Sequence, residues 1–189
     1  MTVAIPDWNA EGVLPPTGAD PVSPDRSPYP VSLLQLVERF AVTPERRTIL
    51  DGFLRYRAAL HECGLVVGTQ WIDGSFVENI EDREGRAPND VDVVTFFLTP
   101  PRQTEKDIVG KNPDLFVPDT VKQNYRVDAF PVGIRGTLEQ LLQQATYWYS
   151  LWSHTRTQRW KGYLAVDLDP TEDEGALSLL SKMGELVRP

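Results

Sequence analysis

Trp71-Ile72-Asp73-Gly74-Ser75-Phe76, followed after a polar stretch by Asn89-Asp90-Val91-Asp92-Val93-Val94, is the part of the chain from which the rest is read. Residues 69–73 are rich in β-formers and residues 91–98 read Val-Asp-Val-Val-Thr-Phe-Phe-Leu, so both are expected to be strands. In an extended strand residues i and i+2 share a face, which sets Asp90 and Asp92 side by side. Two carboxylates held together repel unless a positive charge lies between them. A divalent cation meets that need, and hard oxygen ligands completed by substrate phosphates suit magnesium. Residues 125–130 alternate imperfectly and are expected to form a neighbouring strand, from which Asp128 can supply a third carboxylate.

Gly74-Ser75 has a complementary chemistry. A glycine at the end of a strand lets a phosphate approach the backbone, and a helix starting at Ser75 would present free N–H groups to an anion. A metal on one side and amide donors on the other would grip a nucleoside triphosphate. Acidic residues near strand ends are also common as a merely solvated polar face, and it is the ordered set of Gly74-Ser75, Asp90, Asp92 and Asp128 that favours the metal site.

Working outward, Leu33, Leu34, Leu36, Val37 and Phe40 recur at helical spacing behind Ser32, and this helix is expected to end near Ala41. Thr43-Pro44-Glu45 opens a longer helix through Ile49, Leu50, Phe53, Leu54 and Leu60, stopped at Gly64. His61 and Cys63 in its last turn read as structural. Pro100, Pro101, Pro113 and Pro118 mark a long connection with a helical turn in its middle. A helix from Thr137 through Trp148 toward Trp152, a strand over residues 163–168 and a helix over 172–186 follow. The aromatics at 146–152 read as core, with base stacking as the alternative. His154, Arg156, Arg159 and Lys161 read as a solvated basic turn, with contact to phosphate or an RNA end as the alternative. Asp167-Leu168-Asp169 reads as a strand exit and helix cap.

A chain of 189 residues with 41% hydrophobic and 24% charged side chains fits one folded domain and excludes disorder throughout. Seven of its sixteen prolines fall in the first thirty residues, where fixed φ and missing N–H groups forbid a continuous helix or central strand. Residues 1–30 are therefore read as a proline-rich arm and 31–189 as a single domain. Trp8, Val13, Leu14 and Tyr29 give the arm the means to lie along the body or a partner chain. The expected fold class is α/β (α+β), a small mixed sheet carrying the aspartates and backed by helices. One cysteine excludes an internal disulfide, and 19 basic against 27 acidic side chains disfavour general DNA coating. No long apolar run or secretory signal is read, so the chain is expected to be cytoplasmic, with no membrane partner.

The order Gly74-Ser75, Asp90-Val91-Asp92, Asp128 resembles the nucleotidyltransferase superfamily, which includes DNA polymerase beta, antibiotic nucleotidyltransferases and the minimal MNT-type proteins. More narrowly, Asp73-Gly74-Ser75-Phe76-Val77 with Pro88-Asn89-Asp90-Val91-Asp92-Val93 is similar to a poorly characterised bacterial branch of small proteins with this fold. The stretch that carries the resemblance is residues 69–130, about a third of the chain. The loop from Phe76 to Asn89 is slightly longer than the usual spacing, with Glu81, Asp82, Arg83, Glu84, Gly85 and Arg86 inserted. The resemblance implies that Asp90, Asp92 and Asp128 bind Mg2+ and are catalytic, and that Gly74 and Ser75 bind the triphosphate. The implied activity is nucleotidyl transfer from a nucleoside triphosphate to an acceptor hydroxyl on a protein, an RNA end or a small molecule. Minimal members of the superfamily often act in toxin–antitoxin or phage-defence pairs, which makes a partner protein one expected acceptor. The alternative is a non-catalytic module that keeps the fold and binds a nucleotide or a partner.

Overall fold

Reciprocal caps start the helices where short-range chemistry places them. Ser32 accepts from Gln35 N while the Gln35 side chain accepts from Ser32 N, and α1 (Leu33–Phe40) follows. Thr43 accepts from Arg46 N ahead of α2 (Pro44–Glu62), and Gly64 leaves that helix with φ +83°. The computed structural model describes residues 2–20, 22–134 and 136–185.

Among these residues, five strands form a mixed sheet in the order β1 (Tyr29–Pro30), β5 (Leu164–Asp167), β2 (Gly68–Asp73), β3 (Val91–Phe97), β4 (Val127–Gly133). β2 runs antiparallel to both β5 and β3, while β1 with β5 and β3 with β4 are parallel. The remaining helices are α3 (Ile80–Glu84), α4 (Glu105–Lys111), α5 (Pro118–Tyr125), α6 (Leu138–Trp152) and α7 (Asp173–Glu185). The expected α+β class holds.

The period-two pattern of the strands divides the core into two. Ile72, Val91, Val93, Val127, Ala129, Leu164 and Val166 point to the face covered by α1, α2, α5 and α7. Trp71, Val94, Phe96, Phe130 and Val132 point to the other, where Trp148 and Trp152 of α6 close over them. The aromatic segment of α6 is thus core at these two positions, as its spacing predicts, while Tyr147 and Leu151 remain exposed. Among the described residues no helix is long and apolar enough to cross a membrane.

Three local expectations need correction. The connection after β3 holds two helices and a 3-10 turn rather than one helical turn: Thr104 and Asp107 form a capping box for α4, and Pro118 is an N-terminal helix residue of α5. Prolines there start helices, because the first turn has no use for their missing N–H. The third strand begins at Val127, not at residue 125; Tyr125 ends α5 and Arg126 turns the chain with φ 55°. The inserted loop before Asn89 is ordered as α3, tied down where fully buried Arg46 makes a two-pronged ion pair with Glu81. The last expected helix is α7 from Asp173, and its predicted end at Leu186 lies outside the described residues.

The proline-rich segment lies against the body. Leu14 and Tyr29 belong to the main core, and Tyr29-Pro30 is the edge strand β1. Trp8 donates its indole N–H to Val77 O at 2.8 Å, Asn79 N donates to Gly12 O at 2.8 Å, and Gly162 N to Leu14 O at 2.7 Å. Those contacts brace the two loops that flank the aspartates.

α5 reaches α2 only because of Gly52, where a Cβ would stand 1.9 Å from Tyr125 O. In an exposed helix interior Gly→Ala gains about 1 kcal/mol. Here Gly52→Ala is expected to cost ~1–3 kcal/mol by forcing α5 outward, seen as a melting temperature several degrees lower. An unchanged or higher melting temperature would show that the two helices do not need this approach.

Candidate active site

Register builds the site. Asp73 pairs across the sheet with Asp92, and Asp92 with Asp128, so three aspartates on three adjacent strands stand in one row. The next row toward the sheet interior is Trp71, Val94 and Phe130, the apolar surface on which α6 packs, with Phe130 and Trp148 ring centres 4.9 Å apart. Asp90 precedes β3 by one residue and stands beside the acidic row, two residues before Asp92. The carboxylates floor a cleft of about 740 Å³ walled by Gly74, Ser75, Glu78, Lys122 and Lys161, with Tyr147, Trp148 and Leu151 from α6 and His154 and Arg156 from the loop after it.

Two lysines enter this acidic floor in different ways. Lys161 is 4% exposed, with Nζ 2.9 Å from Asp73 Oδ1 and 2.9 Å from Glu78 Oε1. Glu78 pairs in turn with Arg83. Lys122, from α5, places Nζ 2.8 Å from Asp90 Oδ2 and 3.1 Å from Asp128 Oδ2. Its side chain is 45% exposed. The basic turn predicted at residues 154–161 is therefore split: Lys161 is a buried counter-ion, Arg159 is exposed and pairs with Glu11 at 3.6 Å, and His154 and Arg156 line the outer cleft. A buried carboxylate draws an ammonium inward, and only the fold brings residue 161 to residue 73.

Titration reflects this crowding. Burial, then the charges of Asp90 and Asp128, push the Asp92 carboxyl up to about 6. Burial pushes Asp73 up to about 7 against the opposing pull of Lys161, with Asp92 and Glu78 adding to the rise. Burial works to lower Lys161, but Asp73 and Glu78 outweigh it and hold the ammonium above the usual lysine range. The hydrogen bond to Asp90 leads the causes that raise Lys122.

Gly74 has φ 84° and ψ −170°, a conformation open essentially to glycine alone, and a Cβ there would meet Asp92 Oδ2 at 2.5 Å. Ser75 then begins a single 3-10 turn, Ser75–Val77, instead of the expected helix. One turn carries little dipole, so any anion held here would be held by local amides and the hydroxyl. Phe76 and Val77, both buried, pull the chain into the core after the turn. Arg46 locks it there, donating to Phe76 O at 2.6 Å and to Glu78 O at 2.7 Å.

The carboxylate oxygens of Asp90, Asp92 and Asp128 are of the donor type that a hard divalent cation takes. Asp90 and Asp128 share one positive atom between them, and Asp92 is two residues from Asp90 and the cross-strand partner of Asp128. Among the described residues, however, no three acidic, His or Cys side chains are gathered closely enough to hold a metal ion; the Lys122 ammonium stands between two of the three candidates. Asp73, Glu78 and Lys122 escaped the sequence reading as members of the site, and Lys161 entered it only as part of a basic turn. Asp73 had a signal, since it directly precedes Gly74-Ser75; Lys122 had none.

The other candidates are structural. His61 Nε2 contacts Leu168 O at 2.8 Å, burial raises the Cys63 thiol, and Asp169 caps the turn at Thr171.

No curated protein and no solved structure matches the chain significantly. A model described as a family of unknown function, DUF6932, matches residues 6–167, from the N-terminal segment through β5 and so across every wall of the cleft, and the chain belongs to that family.

Proposed function

We propose that this protein transfers a nucleotidyl group from a nucleoside triphosphate to an acceptor hydroxyl with magnesium bound at Asp90, Asp92 and Asp128. The observation that carries the reading is that the row of carboxylates and the adjoining Gly74-Ser75 turn line one cleft. Bound magnesium would supply charge neutralisation at the α-phosphate and at the departing pyrophosphate. Gly74 and Ser75 would orient the triphosphate through backbone N–H and hydroxyl. Asp128, on the strand next to Asp92, would accept the proton of the attacking hydroxyl. The acceptor oxygen forms a bond to the α-phosphorus as the bond to the pyrophosphate oxygen breaks. The first acceptors to try are a partner protein, as in a toxin–antitoxin or phage-defence pair, and RNA ends.

The test is transfer of label from α-labelled nucleoside triphosphates to candidate proteins, RNA and small hydroxyl compounds, with magnesium present or chelated. Wild type is expected to label an acceptor only with magnesium. Asp128→Asn is expected to keep nucleotide affinity within about threefold while lowering transfer by at least ~10³, because positioning survives and the base does not. Absence of labelling with every nucleotide, together with partner binding that survives replacement of all three aspartates, would leave a binding module in place of the enzyme.

A further inference from the structure

The two site lysines are held in unlike ways. The Lys161 ammonium lies deep in the protein between Asp73 and Glu78, and Glu78 is itself held by Arg83, so its charge is part of the packing. Lys122 reaches its two carboxylates from the rim. Its helix is held at its C-terminal end by the left-handed Arg126 cap and by the close approach of Gly52 to Tyr125 O, so that end of α5 has little freedom to shift. The side chain of Lys122 is nonetheless half exposed and unbranched, and its ammonium can leave Asp90 and Asp128 by rotating its own stem toward the cleft that it lines.

We propose that Lys122 is the exchangeable cation of the site: its ammonium holds the place between Asp90 and Asp128, and a divalent cation enters only as Lys122 leaves. The proposal rests on reading Asp90, Asp92 and Asp128 as the metal-holding group. It makes Lys122 a positioning residue with two partners in turn, the carboxylates before the metal binds and the phosphates of an anionic substrate afterwards. Free metal then binds more weakly than three adjacent carboxylates would otherwise bind it. An anion that draws Lys122 away favours the metal, and by linkage the metal favours the anion.

The experiment is a titration of the full chain with Mn2+ alone, read by the electron paramagnetic resonance of the free ion, with no nucleotide and no turnover. Lys122→Met keeps the stem and removes the charge, and it is expected to bind Mn2+ about ten-fold more tightly than wild type, the size expected for losing a half-exposed competitor paired with two carboxylates. Arg86→Gln removes a charge that lines the same cleft but pairs with Glu84 at 2.7 Å; it is expected to change affinity by less than about threefold. Tighter binding by Lys122→Met alone, including the case in which wild type shows none, supports the exchange. Equal or weaker binding by Lys122→Met than by wild type, or equal tightening by Arg86→Gln, overturns it and leaves the metal site standing. If wild type and Lys122→Met both behave like an Asp90→Asn, Asp92→Asn double variant that binds nothing, the metal reading fails and the exchange fails with it.

Discussion

Asp92→Asn is expected to melt above wild type in chelator at about pH 7.5 and to have no transfer activity. Asp92 lies between Asp73 and Asp128 in the cross-strand row, with Asp90 two residues before it on the same face. Its carboxyl is raised from 3.8 to about 6, so the folded protein holds that proton more tightly than the unfolded chain. Stability from this group is intact below about pH 4, declines as the pH rises toward about 6, and is lost above it. At ~1.4 kcal/mol per pKa unit the loss is ~2–3 kcal/mol, or about 5–10 °C in a domain of this size. Asparagine keeps the shape without the charge, so the variant should lack this part of the decline while retaining the part due to Asp73, which extends to about pH 7. Magnesium should raise the melting temperature of wild type near neutral pH and leave the variant unmoved. A variant that melts below wild type at every pH would refute the claim that the acidic row is a destabilised site kept for a ligand.

Gly74→Ala is expected to lower transfer by ~10² or more and stability by ~1–3 kcal/mol. Its φ of 84° with ψ near −170° excludes an L side chain without strain, and the added methyl would stand 2.5 Å from Asp92 Oδ2 and 2.8 Å from Asp92 Cγ. Either Asp92 turns away from its neighbours or the Gly74-Ser75 turn retreats from the cleft, and each moves a group by about the ångström that separates a productive geometry from an idle one. Thermal melts and the labelling assay run together separate the two costs. Full transfer activity in a destabilised Gly74→Ala protein would mean that the turn does not grip the substrate.

What could be read locally and what could not follows from the range of the interactions. Ser32 and Thr43 start helices within a residue of where the sequence predicts, because a cap is made with a backbone N–H three residues away. Asp90 and Asp92 share a face for an equally local reason, the two-residue period of a strand. Pro118 misled for a local reason too: the same ring that breaks a helix interior is favoured at a helix start, and flanking residues alone did not distinguish them.

By itself the sequence determined that the segments on either side of the motif are strands, that Asp90 and Asp92 share a face, and that Gly74-Ser75 ends the first strand. These depend on periodicity and backbone conformation, properties of neighbouring residues. Only the tertiary structure decided that Asp73 completes a row with Asp92 and Asp128, because that requires the register of three strands, which side-chain packing on both faces selects. Only it brought Lys122 to Asp90 and Lys161 to Asp73, pairs 32 and 88 residues apart along the chain. An ion pair in a cleft forms where burial makes an unpaired carboxylate costly, and that burial exists only once α5, α6 and the N-terminal segment have closed around the sheet.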